Sequence, residues 1–251
     1  MQLTEQQFWD DYWAQITLPS RVDYKFSFER CLAKALKAYM PSVHGDVFEV
    51  GCAPGKWLTF MAEEFGLIPH GIDYSQAGMQ ATLNNFKMLN LQVGDIIAGD
   101  FFQVEPQQTY DAVMSFGFIE HFTDVDSVVE RHLQWLKPGG VLVLGVPNFN
   151  GIYHYLQKKL GSSILENHNL DIMNLAYFES IANKFKLKKR HISYLGSFEP
   201  SLPIVKNTSW TLSNIVLRGI LKLAFHLRKV ECLDSMNHAI ISAYILAIYE
   251  S

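Results

Sequence analysis

The residues best suited to chemistry fall where strands are predicted to end. Gly51 and Gly55 follow the apolar run Asp46-Val47-Phe48-Glu49-Val50; Asp73, Asp100, His121 and His168 come further along. Val47, Phe48 and Val50 have high β-propensity and the glycines break their pattern, so the stretch predicts a buried strand, a glycine turn and a helix. With no Cβ on the glycine, a ligand can approach the backbone closely. In an open α/β sheet this is the carboxyl edge, where ligands bind. A dinucleotide fingerprint would need glycines where Ala53 and Lys56 stand. A P-loop would need one more residue between its glycines, and a hydroxyl residue where Trp57 follows Lys56. A nucleoside without phosphates remains, and Glu49, which would repel a pyrophosphate, is compatible with it. Asp73 ends the next predicted strand, roughly twenty residues beyond the glycine loop, where a carboxylate can accept both ribose hydroxyl hydrogens.

The elements that must position these groups are legible from periodicity. Helices are predicted over 2–16 and 22–39, ended by Pro19 and Pro41. A helix over 55–65 follows the glycine turn, then a strand over 68–75, with Ser75 placed to cap a helix reaching Leu89. Strands are predicted over 93–98, 110–116 and 141–146, with a helix over 125–136 before the turn Lys137-Pro138-Gly139-Gly140. Beyond Asn148 come a long segment, a helix over 175–185 and strands over 187–198 and 240–249. About forty residues separate these last two strands, too many for a hairpin loop. Ser213–Lys229 within them predicts a helix. Strands alternating with helices imply a parallel sheet covered on both faces.

Asp46–Gly55 resembles motif I of the class I S-adenosylmethionine (SAM)-dependent methyltransferases, acid-x-Gly-x-Gly-x-Gly, with Ala53 at the middle glycine. Asp73, Gly99-Asp100-Phe101, the strand from Tyr110 to Phe116, Ile119-Glu120-His121 and Leu136-Lys137-Pro138-Gly139-Gly140 extend the likeness over about Val47 to Val146. In style it is similar to the quinone-pathway and related small-molecule methyltransferases. The resemblance implies an α/β, Rossmann-like fold: a seven-stranded, mostly parallel sheet with helices on both faces, N-terminal helices and a C-terminal helical insertion. It implies one domain: an N-terminal cap (1–42), a SAM-binding core (43–147), an acceptor-side segment (148–186), and an insertion or lid (199–239). SAM is the implied cofactor, held by Glu49, Gly51, Cys52, Ala53, Gly55, Asp73, Tyr74, Asp100, Phe101, Ser115 and Phe116, with Asp100 near the adenine amino group.

Methyl transfer to a poor nucleophile needs a base within hydrogen-bond reach. His121, after the fourth strand, and His168, in Glu166-Asn167-His168-Asn169, are the catalytic candidates. Some relatives carry Glu-x-x-Glu-His and a later His around a divalent cation. Here the first Glu is Gly117, so no metal is expected. The reading is an enzyme methylating a small, partly apolar acceptor, with oxygen the favoured atom. The alternatives are a metal-assisted RNA 2′-O-methyltransferase and a catalytically silent SAM-binding partner protein.

Composition sets limits. A chain of 251 residues with 49% hydrophobic and 18% charged residues is globular, and a net charge of -4 argues against a nucleic-acid partner. Cys31, Cys52 and Cys232 show no disulfide or zinc spacing, so a cytoplasmic setting is expected. No apolar run reaches a membrane span. The helix over 213–229 is expected to form a lid over the acceptor pocket; packing on the domain and contact with a membrane surface are the alternatives.

Overall fold

The computed structural model describes residues 5–160, 164–202, 212–227 and 229–251, without the side chains of 212–216 and 218. Seven strands form one sheet: β1 (Asp46–Val50), β2 (Ile68–Asp73), β3 (Ile96–Ala98), β4 (Tyr110–Phe116), β5 (Leu136–Pro147), β6 (Lys188–Leu195) and β7 (Tyr244–Glu250), in the spatial order β3-β2-β1-β4-β5-β7-β6. The first five are parallel, and β7 runs antiparallel between β5 and β6. The expected seven-stranded α/β architecture is therefore present. β6 and β7 pair from Lys188↔Glu250 to Leu195↔Tyr244 despite the long connection, so the insertion simply leaves from the hairpin end.

Strand periodicity sorts the core into two layers. Phe48 and Val50 of β1, Val113 of β4, Leu142 and Leu144 of β5 and Ile245 and Ala247 of β7 share one cluster. Their alternates Val47, Ala112, Met114, Val141, Val143, Leu246 and Ile248 share the other. The second layer packs on α2 (Ser27–Tyr39) and α3 (Lys56–Phe65). The first packs on α5 (Val125–Gln134), α6 (Ile152–Lys159) and α7 (Leu175–Lys184). α4 (Gln76–Leu89) begins with the Ser75 hydroxyl accepting from Gly78 N at 2.9 Å, the expected cap. α6 lies in the long segment beyond Asn148, for which the sequence pattern predicts no element.

The N-terminal segment departs from expectation. α1 spans only Gln6–Trp13 and has no buried residue; residues 2–4 of the expected helix lie outside the described residues. α2 begins at Ser27, because the Asp23 side chain accepts from Lys25 N and turns the chain before it. α8 (Leu212–Leu227) is the helix expected in the insertion; the side chains of Val216, Arg218 and Arg228 lie outside the described residues. Among those described, no helix is long and apolar enough to cross a membrane.

Arg30 ties the insertion to α2. Its guanidinium donates to both Asp234 oxygens at 2.7 Å and to Tyr24 O at 2.5 Å, and Ser27 Oγ donates to Asp234 at 3.0 Å. The side chains are 3% and 11% exposed, so removing Arg30 leaves Asp234 little solvated, with Ser27 and the half-exposed Lys34, 3.5 Å away, as its partners. Arg30→Met is expected to cost about 3 kcal/mol of stability in urea unfolding. A loss below about 1 kcal/mol would place the pair with ordinary surface ion pairs.

Candidate active site

The glycine turn is shaped by its backbone. Gly51 has φ +71°, and a Cβ on it would lie 3.1 Å from the Phe118 ring. Gly51 N and Cys52 N both donate to Ile72 O, at 2.8 and 3.2 Å. The loop is thereby pinned to the end of β2, where Asp73 completes the hold. Asp73 Oδ2 accepts from Ala53 N at 3.0 Å and Oδ1 from Ser75 N at 2.9 Å. Burial pushes the Asp73 carboxyl up to about 6, against the lowering effect of these two bonds, with the nearby Asp10 charge adding to the rise.

Three adjoining cavities open along this edge, and Gly51 lines all of them. The first is a slot between Gly99, Asp100, Phe101 and Tyr74, roofed by Phe118, Phe102 and Phe122. Asp100 Oδ1 accepts from Phe102 N at 2.9 Å, which leaves Oδ2 for an exocyclic amine. The second, about 210 Å³, lies over Asp73, Tyr74 and Ala53 and under Trp9, Tyr12 and Trp13 of α1. α1 is held there by Asp10 accepting from Ser75 Oγ at 2.5 Å and by Gln6 donating to Tyr74 O at 2.9 Å. The third, about 360 Å³, is walled by Phe28, Trp57, Phe116, Phe149 and Tyr244, with Glu49, Cys52, Lys56, Glu120, His121, His168 and Leu202.

Most expected site residues meet here. Tyr74 borders the first two cavities, Ala53 and Phe116 the second and third, and Glu49 and Cys52 the third. Gly55 and Ser115 line none of the three. Gly55, at φ +83°, turns the chain into α3 beside Thr82 and Phe86. Ser115 shares the Val113 face of β4, and its hydroxyl is buried in the core with no hydrogen-bond partner. Pattern reading missed the α1 aromatics as site residues. Their density, with Phe8, Trp9, Tyr12 and Trp13 in six positions, was the available signal. It also missed Lys56, which lines the third cavity with its ammonium 2.6 Å from Glu29.

The two histidines come together. Their ring centroids lie 4.5 Å apart, and Trp9 meets His121 edge-on at 5.4 Å. His121 Nδ1 is 2.9 Å from Asn167 O, and His168 Nδ1 is 2.6 Å from Ile164 O. A carbonyl can only accept, so both rings carry their proton on Nδ1 and keep a lone pair on Nε2. Burial, with His168 adding, lowers His121 to about 4; burial also lowers His168. Both are neutral near pH 7. Glu120 is buried with Oε2 unpartnered, and burial pushes it up to about 8.

Glu120, His121 and His168 each place a donor atom within 4.8 Å of the others. The set fits a divalent ion: one orphaned buried carboxylate oxygen and two imidazoles whose Nδ1 protons are held by carbonyls. The expectation of no metal rested on Gly117, and a Cβ at that position would lie 3.5 Å from Glu120 Oε1. The missing acid would thus have joined this cluster, but three donors assemble without it.

Comparison with known proteins places the chain. A sequence profile described as a methyltransferase domain matches residues 25–195. The chain belongs to this family of SAM-dependent methyltransferases. It is 32% identical to phosphoethanolamine N-methyltransferase 3 of Arabidopsis thaliana over 39% of its own length and 20% of the relative's. It is 27% identical to a ubiquinone biosynthesis O-methyltransferase of Bradyrhizobium diazoefficiens over 41% of its length and 40% of the relative's. The chain thus spans well under two thirds of these relatives. Geranyl diphosphate C-methyltransferase of Streptomyces coelicolor, solved with Mg2+, geranyl diphosphate and S-adenosylhomocysteine (SAH), shares the fold with TM-score 0.61, covering 98% of this chain and 97% of that one at 14% identity. The cofactor of the family is SAM.

A ribose on Asp73, the placement proposed below, would make cofactor affinity depend on pH. Its hydroxyls would donate to the ionised carboxylate, so protonation would compete with the ligand. With Asp73 at about 6 in the free protein, the Kd for SAH is expected to rise about tenfold between pH 7.5 and about pH 5. Asp73→Asn should bind more weakly and lose this slope. Calorimetry showing the same slope in the variant would remove Asp73 from the ribose site.

Proposed function

We propose that the protein transfers the methyl group of SAM to a small, partly apolar acceptor, with oxygen as the acceptor atom. The observation that carries this reading is the junction of the second and third cavities, bordered by Phe116, Gly117 and His121. In this reading adenine lies beside Asp100 and Phe101, where the slot of about 20 Å³ must widen by movement of Phe102, Phe118 or Phe122 to admit it. Ribose meets the carboxylate of Asp73, and the acceptor enters the aromatic third cavity. SAM supplies an electrophilic methyl carried on a sulfonium. The chain aligns the partners and handles one proton. His121, neutral with its lone pair on Nε2, can take the proton of an acceptor hydroxyl. The Asn167 carbonyl holds that tautomer and stabilises the imidazolium formed. His168 stands beside it as the second base.

The relatives and structural neighbours named above include an N-, an O- and a C-methyltransferase. Oxygen is favoured here because two neutral imidazoles at the acceptor cavity suit a hydroxyl, which must lose a proton as it is methylated. A polyanionic RNA acceptor is disfavoured, since Lys56 is the one basic side chain among the cavity's described residues besides the histidines, and it is paired with Glu29. The wall of five aromatic rings instead suits an apolar molecule.

A second reading rests on the Glu120–His121–His168 set. A divalent ion held there would lower the pKa of an acceptor hydroxyl bound to it. His121→Ala and His168→Ala are each expected to lower kcat by about a hundredfold or more while leaving SAH affinity within about twofold. Unchanged kcat in both variants would remove the proton-transfer role. Chelation separates the readings: full turnover in EDTA supports proton transfer by histidine alone, and loss restored by magnesium or zinc assigns the three side chains as ligands.

A further inference from the structure

α8 carries two apolar faces. Leu217, Leu221 and Ala224 turn toward the domain, with Leu221 buried and the other two half-buried. Packing accounts for that face. Ile220, Leu223 and Leu227, spaced i, i+3 and i+7, form a second face. They are 57%, 62% and 46% exposed, and exposed Val230 continues the apolar surface past the helix end. None of the described residues of α8 lines the acceptor cavity, so the expected role of cover over the acceptor does not explain this stripe.

We propose that this second face of α8 lies on an anionic lipid surface. Charge points to the occupant. From Pro200 to Val230 the chain has Lys206, Arg218, Lys222, Arg228 and Lys229 and no Asp or Glu, although the whole chain carries a net -4. An aliphatic stripe within a basic block matches the boundary of a bilayer with acidic headgroups: aliphatic side chains enter the acyl boundary and lysines reach the headgroups. A nucleic acid would gain nothing from the stripe. A second copy meeting it across a twofold axis would bring the basic block against itself.

The insertion also joins the cavity at both ends. Leu202, before it, lines the third cavity. Asp234, beyond α8, is latched to Ser27 and Arg30, which flank the cavity residue Phe28 closely in sequence. A helix seated on lipid therefore holds that cavity near the bilayer, from which an apolar acceptor can be drawn. This last step rests on the acceptor reading above; the docking itself does not.

The test is co-sedimentation of the full chain with vesicles of phosphatidylcholine containing phosphatidylglycerol, against phosphatidylcholine alone, at low and high salt. Binding is expected to the anionic vesicles and to weaken with salt. Lys222→Gln with Lys229→Gln should weaken it at least tenfold, at roughly fivefold per basic residue near the surface. Leu223→Glu should abolish it. SAH affinity, unchanged in these variants, certifies that they are folded, and methyl transfer to a water-soluble acceptor reads the proposed activity separately. No binding by the parent chain, or equal binding to neutral vesicles, overturns the proposal. So does self-association in sedimentation velocity that Leu223→Glu breaks without any vesicle binding, which would assign the face to a second copy.

Discussion

Everything at the carboxyl edge of the sheet depends on one buried carboxylate. Asp73 accepts the backbone N–H of Ala53 on one oxygen and that of Ser75 on the other. The first bond fixes the glycine loop over the end of β2, and the second fixes the start of α4. An isolated carboxylate in such a place is costly, and its raised pKa records that cost. Glu49, on the neighbouring strand, is buried as well, and burial with the Asp73 charge holds it well above the usual carboxylate range. Two acids are thus held near each other, Asp73 lining the second cavity and Glu49 the third. On the proposed placement of the ribose, its hydroxyls would add donors to the two backbone N–H groups that Asp73 already accepts, and the local conflict would become affinity.

The parts of this arrangement that were legible in the sequence are those with a short-range signature. The β1 strand, the glycine turn, Ser75 as a cap and Asp73 at a strand end each declare themselves through propensity, spacing or capping chemistry. The seven strands follow from periodicity and from the family resemblance together. What was not legible depends on long-range docking. α1 shows no core-facing stripe because none of its residues is buried; its aromatics find their place only when Asp10 reaches Ser75, 65 residues away. Ser115 shows the opposite error. Its position near the end of the acid-led strand suggested the cofactor, but strand alternation turns its side chain into the core. Gly55 belongs to the turn's backbone rather than to its ligand surface.

The histidine pair is intermediate. Each residue was visible as a loop histidine, but their convergence depends on the segment after β5 folding back so that Asn169 N donates to Glu120 O at 2.7 Å. That one backbone contact brings the two stretches into register, and the carbonyls of Asn167 and Ile164 then orient the rings. The absence of a motif acid at Gly117 could be read directly, whereas the compactness of the remaining three donors could not, because it depends on this fold-back.

The placement of β7 has a kinetic consequence. Because it lies between β5 and β6, β6 has no place in the sheet until β7 has paired with β5. The pairing Val141↔Glu250 joins residues more than a hundred positions apart. Until that loop closes, β5 presents an open edge rich in valine and leucine, while the earlier strands can already assemble around β1 and β4. Ordering so distant a strand is a slow, entropically costly step. While β5 lacks β7, its open flank is the kind of edge that can pair with another chain.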